Sequence, residues 1–533
     1  MAIPSGSIDA IFSEWDRDDS PGCALSVIRD GEVVYARGYG MANLEHDIPI
    51  APGSIFHVAS ISKQFTDMCV ALLATEGAFT LDDDIREYVP EAPDYGATIT
   101  IRHMIHHTSG LRDKWSLLRL AGWRPDDLIT DAHVLWVVSR QVAPNFPPGE
   151  QYLYSNTGYA LLSIIVKRVT GMTLREFARE RIFEPLEMAS THFHDDHTEI
   201  VKGRTQAYEP RKGGGLRISI PVFDVVGTTS LFTTVEDMAR WDQNFVHRRV
   251  GGDAVIEQML TPGQLNDGGP MSYGFGLQIH GYRGLRIVEH GGADAGYRAH
   301  FLRFPDEQLS VVCFANLSTM TPRTLALAVA DLLLEERFTE PLDDDAPVTH
   351  ASVEERRLAG VYRDNQTGDL LRVTSDDDGL AIGFVDQQRL AGHSSVAYQI
   401  EGQRLSRLTF EERDGTLGLV FGARYSPTPA PVFERVAGPD IVEPSAVDRG
   451  RFYSEELDVT YLLEPDGPLL ILKHYRLDDQ TLRHAFGDTY AGNDLRIELE
   501  RDGGGDVTGF RASTSRARNI WFERRETSKP SGC

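Results

Sequence analysis

An internal repeat near the C-terminal end places the strongest constraint on how this 533-residue chain folds. Three short motifs recur at offsets of 90, 88 and 89 residues. They are Gly360-Val361-Tyr362 with Gly450-Arg451-Phe452, Arg413-Asp414-Gly415 with Arg501-Asp502-Gly503, and Phe433-Glu434-Arg435 with Phe522-Glu523-Arg524. Self-similarity at a fixed period indicates tandem copies of one unit. Short apolar runs separated by tight turns within each copy predict two similar small antiparallel β-barrels.

The repeat also bears on the number of domains. Single hydrophobic cores stop growing near ~250–300 residues, so a chain of this length needs more than one. Residues 339–350 are acidic, contain proline and lack periodicity, which indicates a linker, and residues 437–445 separate the two copies. We therefore predict a large domain over residues 1–338, a barrel over 351–437 and a second barrel over 446–528.

Strands are expected at both ends of the large domain. Two apolar runs, 23–28 and 33–36, flank Asp30-Gly31, and an Asp-Gly pair in this position is a strong hairpin signal. Residues 270–316 return to a strand pattern, whereas residues 55–245 are mainly helical. Strands from both ends that enclose a helical insert predict an α+β domain, with helices packed on one antiparallel sheet.

The helical insert contains a serine that is followed by a lysine three residues later, Ser60 and Lys63. Phe65 and Met68 continue at helical spacing, so Ser60 is expected to open a buried helix. Residues i and i+3 share a helix face, which brings the amine of Lys63 within reach of the Ser60 hydroxyl. The amine can take the hydroxyl proton only if burial and nearby charge hold it neutral. Alone, such a tetrad occurs by chance, and an exposed lysine is the common alternative.

Two later segments favour a catalytic interpretation. Tyr154 and Asn156 form a Tyr-x-Asn element, which offers either a proton relay and a substrate hydrogen bond or a core tyrosine and a helix N-cap. His290, Gly291 and Gly292 are expected in a glycine-rich turn between two strands, where another backbone can approach closely. A turn histidine that is satisfied by local hydrogen bonds is the alternative for His290.

In this order, the three motifs resemble those of the penicillin-recognising serine hydrolases, whose general form is Ser-x-x-Lys, Ser-Asp-Asn and Lys-Thr-Gly. The Tyr-Ser-Asn form of the second motif is similar to that of class C β-lactamases. The His-Gly-Gly form of the third is typical of D-aminopeptidase-like members and of family VIII-like esterases. Segments 106–111, 227–241 and 273–277 look like further signatures of the same β-lactamase/transpeptidase-like domain, over roughly residues 8–335.

The resemblance implies a role for each motif residue. The implied catalytic residues are Ser60 (nucleophile), Lys63 (general base), Tyr154 (proton relay) and His290 (orienting). The implied substrate-binding residues are Asn156, Gly292 and Ala293. Backbone N–H groups of Ser60 and Ala293 would hold the oxyanion. No metal and no organic cofactor is implied.

The favoured function is release of N-terminal D-amino acids from small peptides, amides or esters through an acyl-enzyme on Ser60. One alternative is a family VIII-like carboxylesterase or a weak β-lactamase or D-alanyl-D-alanine carboxypeptidase. Another is a non-catalytic binding protein with the same fold. The intact residues of the first two motifs argue against it, namely Ser60, Lys63, Tyr154 and Asn156. The D-aminopeptidase layout adds two eight-stranded barrels, and a loop of the last barrel restricts substrate size. The candidate here is Lys473 to Gln480, expected to be irregular, with an ordinary hairpin as the alternative.

Charge and composition limit the partners. The chain has 53 basic and 79 acidic residues, a net charge of −26, which argues against nucleic acid and anionic membranes as partners. The first residues show no secretory signal, and no run approaches the ~18 apolar residues of a membrane span, so we predict a cytoplasmic enzyme. Family members are often dimers, and the resemblance therefore allows a homodimer.

Overall fold

The structure, a computed structural model, describes residues 3–341, 355–392, 394, 396–401, 406–413, 415–423, 430–436, 444 and 448–525. The chain divides into two compact units. The first comprises residues 1–111, 125–139 and 146–341, and the second comprises residues 112–124, 140–145 and 342–533. The domain limits at 338, 351, 437, 446 and 528 stay predictions. Of the predicted linkers, residues 342–350, 437–443 and 445 lie outside the described residues.

The first unit is built around a six-stranded antiparallel sheet, which confirms the predicted α+β class. In sheet order its strands are Gln278–Tyr282, Leu285–Asp294, Tyr297–Phe304, Leu309–Ala315, Cys23–Arg29 and Glu32–Tyr39. The strand Cys23–Arg29 pairs with Leu309–Ala315, so the two ends of this unit meet in one sheet as expected. The predicted hairpin at Asp30-Gly31 is present, with φ of 53° and 79°, the positive values that a tight two-residue hairpin turn requires.

Helices and smaller sheets form the rest of the unit. Its α-helices are Ser5–Phe12, Ser62–Thr75, Ile101–Ile105, Asp131–Ser139, Asn156–Thr170, Leu174–Ala178, Val235–His247, Gly252–Met259 and Pro322–Leu333. Two strand pairs are Met41–Asn43 with Ile48–Pro49 and Tyr208–Pro210 with Leu216–Ile218. A three-stranded sheet has the order Phe56–His57, Leu231–Thr233, His192–Phe193. None of the helices in the described ranges is both long and apolar enough to cross a membrane.

The second unit contains two closed barrels of eight antiparallel strands each, which confirms the architecture predicted from the repeat. The first has strands Gly360–Asp364, Leu370–Asp376, Gly379–Ile382, Gln388–Gly392, Ala397–Ile400, Ser406–Arg413, Thr416–Ala423 and Val432–Arg435. The second has strands Gly450–Ser454, Val459–Asp466, Leu469–His474, Leu477–Phe486, Thr489–Ala491, Arg496–Arg501, Val507–Thr514 and Ala517–Arg525. Gly360 and Gly450 each begin a first strand, and Phe433 and Phe522 are buried in the last strands, so the repeated motifs occupy equivalent places.

Lys473 to Gln480 forms a β-hairpin with a register shift between Leu472 and His474, so the expectation of an irregular stretch outside the strands is wrong. The two strands are joined by a two-residue turn at Tyr475 and Arg476, and Tyr475 is 91% exposed at the tip. The polar residues that suggested a loop lie instead on the solvated part of a strand, where one face needs no apolar side chain.

Two short segments, 112–124 and 140–145, belong to the second unit although the residues that flank them belong to the first. The buried guanidinium of Arg112 lies 2.6 Å from Glu456 Oε2 and donates to Gln141 Oε1 at 3.0 Å. The backbone N–H of Asp113 donates to the carbonyl of Arg516. The helix Lys114–Leu120 follows, with the Asp113 carboxylate as its N-cap. Segments 112–124 and 140–145 are therefore held by the second barrel through buried polar contacts.

Candidate active site

Ser60 lies in a strained turn between a strand and a helix. The strand Phe56–His57 leads into a single 3₁₀ turn, Ala59–Ile61, and the helix Ser62–Thr75 follows directly. Ala59 has φ of 46°, a left-handed conformation that costs about 1–3 kcal/mol for a residue with a Cβ and persists only where neighbours enforce it. The surroundings do so here, because Val58 N donates to Leu231 O and Leu231 N donates to Ser62 Oγ.

Lys63 is fully buried directly beside Ser60. Its Nζ lies 3.1 Å from Ser60 Oγ, 3.0 Å from Asn156 Oδ1 and 2.7 Å from the Thr228 carbonyl oxygen. Thr228 also donates its hydroxyl to Asn156 Oδ1 at 2.7 Å. The structure thus brings together the predicted serine, lysine and asparagine, and it adds Thr228.

Asn156 is the first residue of the helix Asn156–Thr170 rather than its N-cap. Ser155 occupies the N-cap position, so the N-cap alternative for Asn156 is wrong by one residue. A side chain one residue inside the helix does not have to accept a hydrogen bond from its first turn. The amide of Asn156 is instead directed to Lys63 and Thr228.

The ring of Tyr154 lies beside the Lys63 amine. The Nζ of Lys63 lies 4.8 Å from the centroid of the Tyr154 ring, a cation–π distance. The ring of His107 packs on the same tyrosine with centroids 4.1 Å apart, and its Nδ1 accepts from Ser155 N. Tyr154 is half-buried, so its ring is in contact with the site and is not hidden in the core.

His290 lies in a strand, and the expected glycine-rich turn is wrong. The strand Leu285–Asp294 continues through both glycines, and the turn follows at Ala295 and Gly296. His290 Nδ1 lies 2.7 Å from the Gly291 carbonyl oxygen and therefore carries the proton, so Nε2 accepts from Tyr273 Oη at 3.1 Å. Burial is the largest cause that lowers the pKa of His290, to about 3, so the ring is neutral near pH 7.

Gly292 permits this strand to approach the nucleophile turn. A Cβ at this position would lie 2.2 Å from the Val58 carbonyl oxygen, two residues before Ser60. No side chain fits at that distance, so the strand edge that carries Ala293 can pack against the turn only with glycine here. Gly291 and Gly292 were expected to form a turn, but Gly292 instead allows a strand to pack closely against the Ser60 turn.

We predict that Gly292→Ala lowers kcat/KM by about 100-fold, because the strand must move away from the Ser60 turn by a large fraction of an ångström or more. Steady-state kinetics would measure the loss. Gly281→Ala is the matched control in the same sheet, since its Cβ would find its nearest neighbour 4.0 Å away. Equal activity of the two variants would show that close packing at Gly292 is unimportant.

A buried carboxylate, Glu289, precedes His290. His280 Nε2 and His300 Nε2 lie 2.9 and 2.8 Å from its two oxygens, and Arg323 donates to both. Burial alone would raise the pKa of Glu289, but the hydrogen bonds from His280 and His300 and the charge of Arg323 hold it well below its usual range. The carboxylate therefore stays ionised and ties three elements to the strand that carries His290.

Asp67, one turn beyond Lys63 on the same helix, is also fully buried. The hydroxyl of Tyr159 lies 2.6 Å from Asp67 Oδ2 and 2.9 Å from the Ile105 carbonyl oxygen. Burial raises the pKa of Asp67 well above its ordinary value. The Tyr159 hydroxyl is placed to donate to Asp67 or to the Ile105 carbonyl, and burial disfavours the ionised form of the Asp67 carboxyl.

The sequence did not single out Thr228, Tyr273, Asp67 or Tyr159. Thr228 and Tyr273 lie in segments whose family resemblance was recognised, and that is the only signal they offered. A threonine carbonyl carries no chemical signature in a sequence, because any residue supplies one. Only the fold brings these groups to Lys63 and His290.

Comparisons with known proteins place the chain in a family. The Beta-lactamase family model matches residues 8–335. A D-aminopeptidase of Gluconobacter oxydans (strain 621H) is 29% identical over 95% of this chain and 96% of its own length. A D-aminopeptidase of Cereibacter sphaeroides (strain ATCC 17029 / ATH 2.4.9) is 31% identical over 68% of this chain and 67% of its own.

Two solved structures show the same fold. The octameric penicillin-binding protein homologue from Pyrococcus abyssi is 24% identical, covers 81% of this chain and all of its own, and has a TM-score of 0.59. The D-amino acid amidase from Ochrobactrum anthropi SV3 is 20% identical, covers 62% of this chain and 99% of its own, and has a TM-score of 0.54. The β-lactamase/transpeptidase-like fold predicted for the large domain is confirmed.

Proposed function

This chain belongs to the beta-lactamase family, and we propose that it is a serine hydrolase that releases N-terminal D-amino acids from peptides, amides or esters through an acyl-enzyme on Ser60. The observation that carries the proposal is the buried Lys63 amine, 3.1 Å from Ser60 Oγ. The preference for a D-residue rests on the D-aminopeptidase relatives, one of which is alike over 95% of this chain, including the barrels.

Lys63 acts as the general base. A neutral amine has two N–H groups and one lone pair, and the carbonyl of Thr228 and the amide oxygen of Asn156 take the two N–H groups. The lone pair is then left for the hydroxyl proton of Ser60. Full burial favours the neutral amine, since desolvation penalises the ammonium. Ser60 Oγ attacks the substrate carbonyl carbon as Lys63 takes its proton.

The remaining steps use the groups around this pair. Backbone N–H groups of Ser60 and Ala293 stabilise the oxyanion of the tetrahedral intermediate, and a preorganised donor of this kind is worth about 3–4 kcal/mol. Tyr154, beside Lys63, relays the proton to the leaving group, and Asn156 and Gly292 border the substrate. Water then attacks the acyl carbon and releases the acid with Ser60 restored. His290 acts as a neutral hydrogen-bonding group that orients Tyr273.

The neutral state of His290 weighs against strong β-lactamase activity. Members that bind the β-lactam carboxylate have lysine at this place, whereas His290 with a pKa of about 3 offers no positive charge. A carboxylesterase needs no such charge and remains the second candidate. A binding protein without catalysis has no need of an amine 3.1 Å from the Ser60 hydroxyl oxygen, so this placement of Lys63 argues against that alternative.

The test is turnover of D-alanine and L-alanine p-nitroanilides, p-nitrophenyl butyrate and nitrocefin. We expect hydrolysis of the D-anilide in preference to the L-anilide and to nitrocefin. Ser60→Ala should abolish this activity, and Ser139→Ala, at an exposed serine, should retain it. Turnover of the ester alone would assign an esterase, and equal activity of Ser60→Ala would contradict the mechanism.

Three further predictions stay proposals. We propose that the hairpin Lys473–Gln480 limits substrate length, that the protein forms a homodimer and that it is cytoplasmic. The exposed Tyr475 at the hairpin tip supports the first, since a large aromatic side chain in solvent is suited to a contact. Replacing residues 475 and 476 by Asn-Gly should broaden the range of peptide lengths that the enzyme cleaves.

A further inference from the structure

A cluster of metal-ligand side chains lies in the first unit, apart from the Ser60 site residues described above. His192, His194 and Glu199 come from one eight-residue segment, and one ligand atom of each lies within 4.8 Å of the others. His194 Nδ1 is 3.6 Å from Glu199 Oε2, which is too long for a hydrogen bond. His192 and His194 are two residues apart at the end of a strand, so both rings project to the same side.

The ring of His194 is buried, and no hydrogen bond from the described residues offsets the loss of its contacts with water. It is only 4% exposed, and within the described part of the chain neither of its ring nitrogens has a hydrogen-bond partner. The same holds for Nε2 of His192. An unsatisfied buried polar group costs about 1–3 kcal/mol, and native proteins rarely leave one, so three such nitrogens in one cluster require an explanation.

We propose that His192, His194 and Glu199 bind one divalent transition-metal ion, with Zn²⁺ the best chemical match. Imidazole nitrogens with one carboxylate oxygen are a common zinc donor set. The ligand atoms of a tetrahedral zinc lie about 3.4 Å apart, given bonds of about 2.0–2.1 Å, so the side chains must close inward by small rotations. A bound ion would satisfy the nitrogens that are otherwise without partners.

The charges around the cluster are compatible with a cation. Arg175 donates to both oxygens of Glu199 and to Asp195, so these three side chains carry a net charge of −1 without metal. An arginine that donates to a ligating carboxylate in this way fixes the orientation of the carboxylate. Arg204 is a further positive charge in the neighbourhood of His194 and will weaken binding to some extent.

The position of the cluster indicates a structural role. His192 pairs with Phe232 in the three-stranded sheet, and the strand of Phe232 pairs in turn with Phe56–His57. That last strand leads into the Ser60 turn. An ion at the cluster would fasten residues 192–199 to the sheet that supports the nucleophile, and it would stabilise this unit without touching substrate.

The experiment uses the full chain without a histidine tag, treated with EDTA and then dialysed. Titration calorimetry with ZnCl₂ should give one ion per chain with a Kd below about 10 µM. Co²⁺ should produce the visible absorption of a four-coordinate site, and Zn²⁺ should raise the unfolding temperature. Zinc binding weaker than about 10 µM by the wild-type chain would overturn the proposal, and this reading requires no variant.

Three variants locate the ion. His194→Ala and Glu199→Gln should each weaken Zn²⁺ binding by at least about 100-fold. The matched control is His197→Ala, because His197 already has a partner, Asp224 Oδ1 at 2.9 Å, and belongs to a neighbouring cluster with Asp196. Loss of binding in His197→Ala with retention in His194→Ala would refute the assignment.

Discussion

Lys63→Met is expected to lower kcat for D-alanine p-nitroanilide by about 10²–10⁴-fold while KM changes little. Methionine has a similar length and fills the buried space, but it has no group that accepts the Ser60 proton. The amide of Asn156 and the carbonyl of Thr228 would lose the N–H groups that they accept from Lys63. Lys167→Met, at an exposed position on the helix Asn156–Thr170, is the matched control and should keep full activity.

The Lys63→Arg variant tests whether Lys63 acts as a base or as a fixed positive charge. Arginine keeps a positive charge at every accessible pH and cannot act as a base. If Lys63 is the base, the arginine variant should be as slow as the methionine variant. Substantial activity in the arginine variant would mean that Lys63 serves as a fixed cation and that another group deprotonates Ser60.

The second large effect is expected in Glu289→Gln. Removing the charge from a buried, fully hydrogen-bonded carboxylate takes away the charge that Arg323, His280 and His300 contact, and it costs about 3–5 kcal/mol in the free energy of unfolding. Urea denaturation of the full chain would measure the change. Asp82→Asn removes one partner of the exposed pair with Arg102 and should cost no more than about 1 kcal/mol. A loss as small as that in Glu289→Gln would contradict the structural role of the network.

The contribution of Glu289 to the free energy of unfolding should also depend on pH. Its pKa is lowered in the folded state, so the unfolded chain binds the proton more readily as the solution becomes acidic. The contribution of Glu289 is fully present above the unfolded pKa, about 4.3, and is lost as pH falls through the lowered folded value. The difference in stability between the wild type and Glu289→Gln should therefore shrink below about pH 4. A constant difference down to pH 3 would contradict this account.

Much of the architecture could be predicted from patterns in the sequence. The Asp30-Gly31 turn and the strands at both ends of the first unit reflect short-range spacing, whereas the repeat reflects two copies of one unit, and each pattern gave a correct element. Lys63 was placed beside Ser60 by helical spacing, although Ser60 itself lies in the 3₁₀ turn before the helix.

The errors arose where tertiary contacts override local pattern. Gly291 and Gly292 favour a turn in isolation, but the Val58 carbonyl requires a glycine in a continuous strand. The polar run at Lys473 forms a hairpin because barrel strands need only one apolar face. The contacts of Thr228, Tyr273 and Asp67 join residues far apart in the chain, and no spacing rule predicts them.

The most direct test of the proposed mechanism is the identification of the acyl-enzyme. The protein would be mixed with an activated ester of D-alanine, quenched in acid within the first turnover and digested for mass spectrometry. We expect an alanyl adduct on Ser60 that is absent from Ser60→Ala and, if Tyr154 relays protons, longer-lived in Tyr154→Phe. Turnover with no adduct on Ser60, or an adduct on another residue that remains in Ser60→Ala, would contradict it.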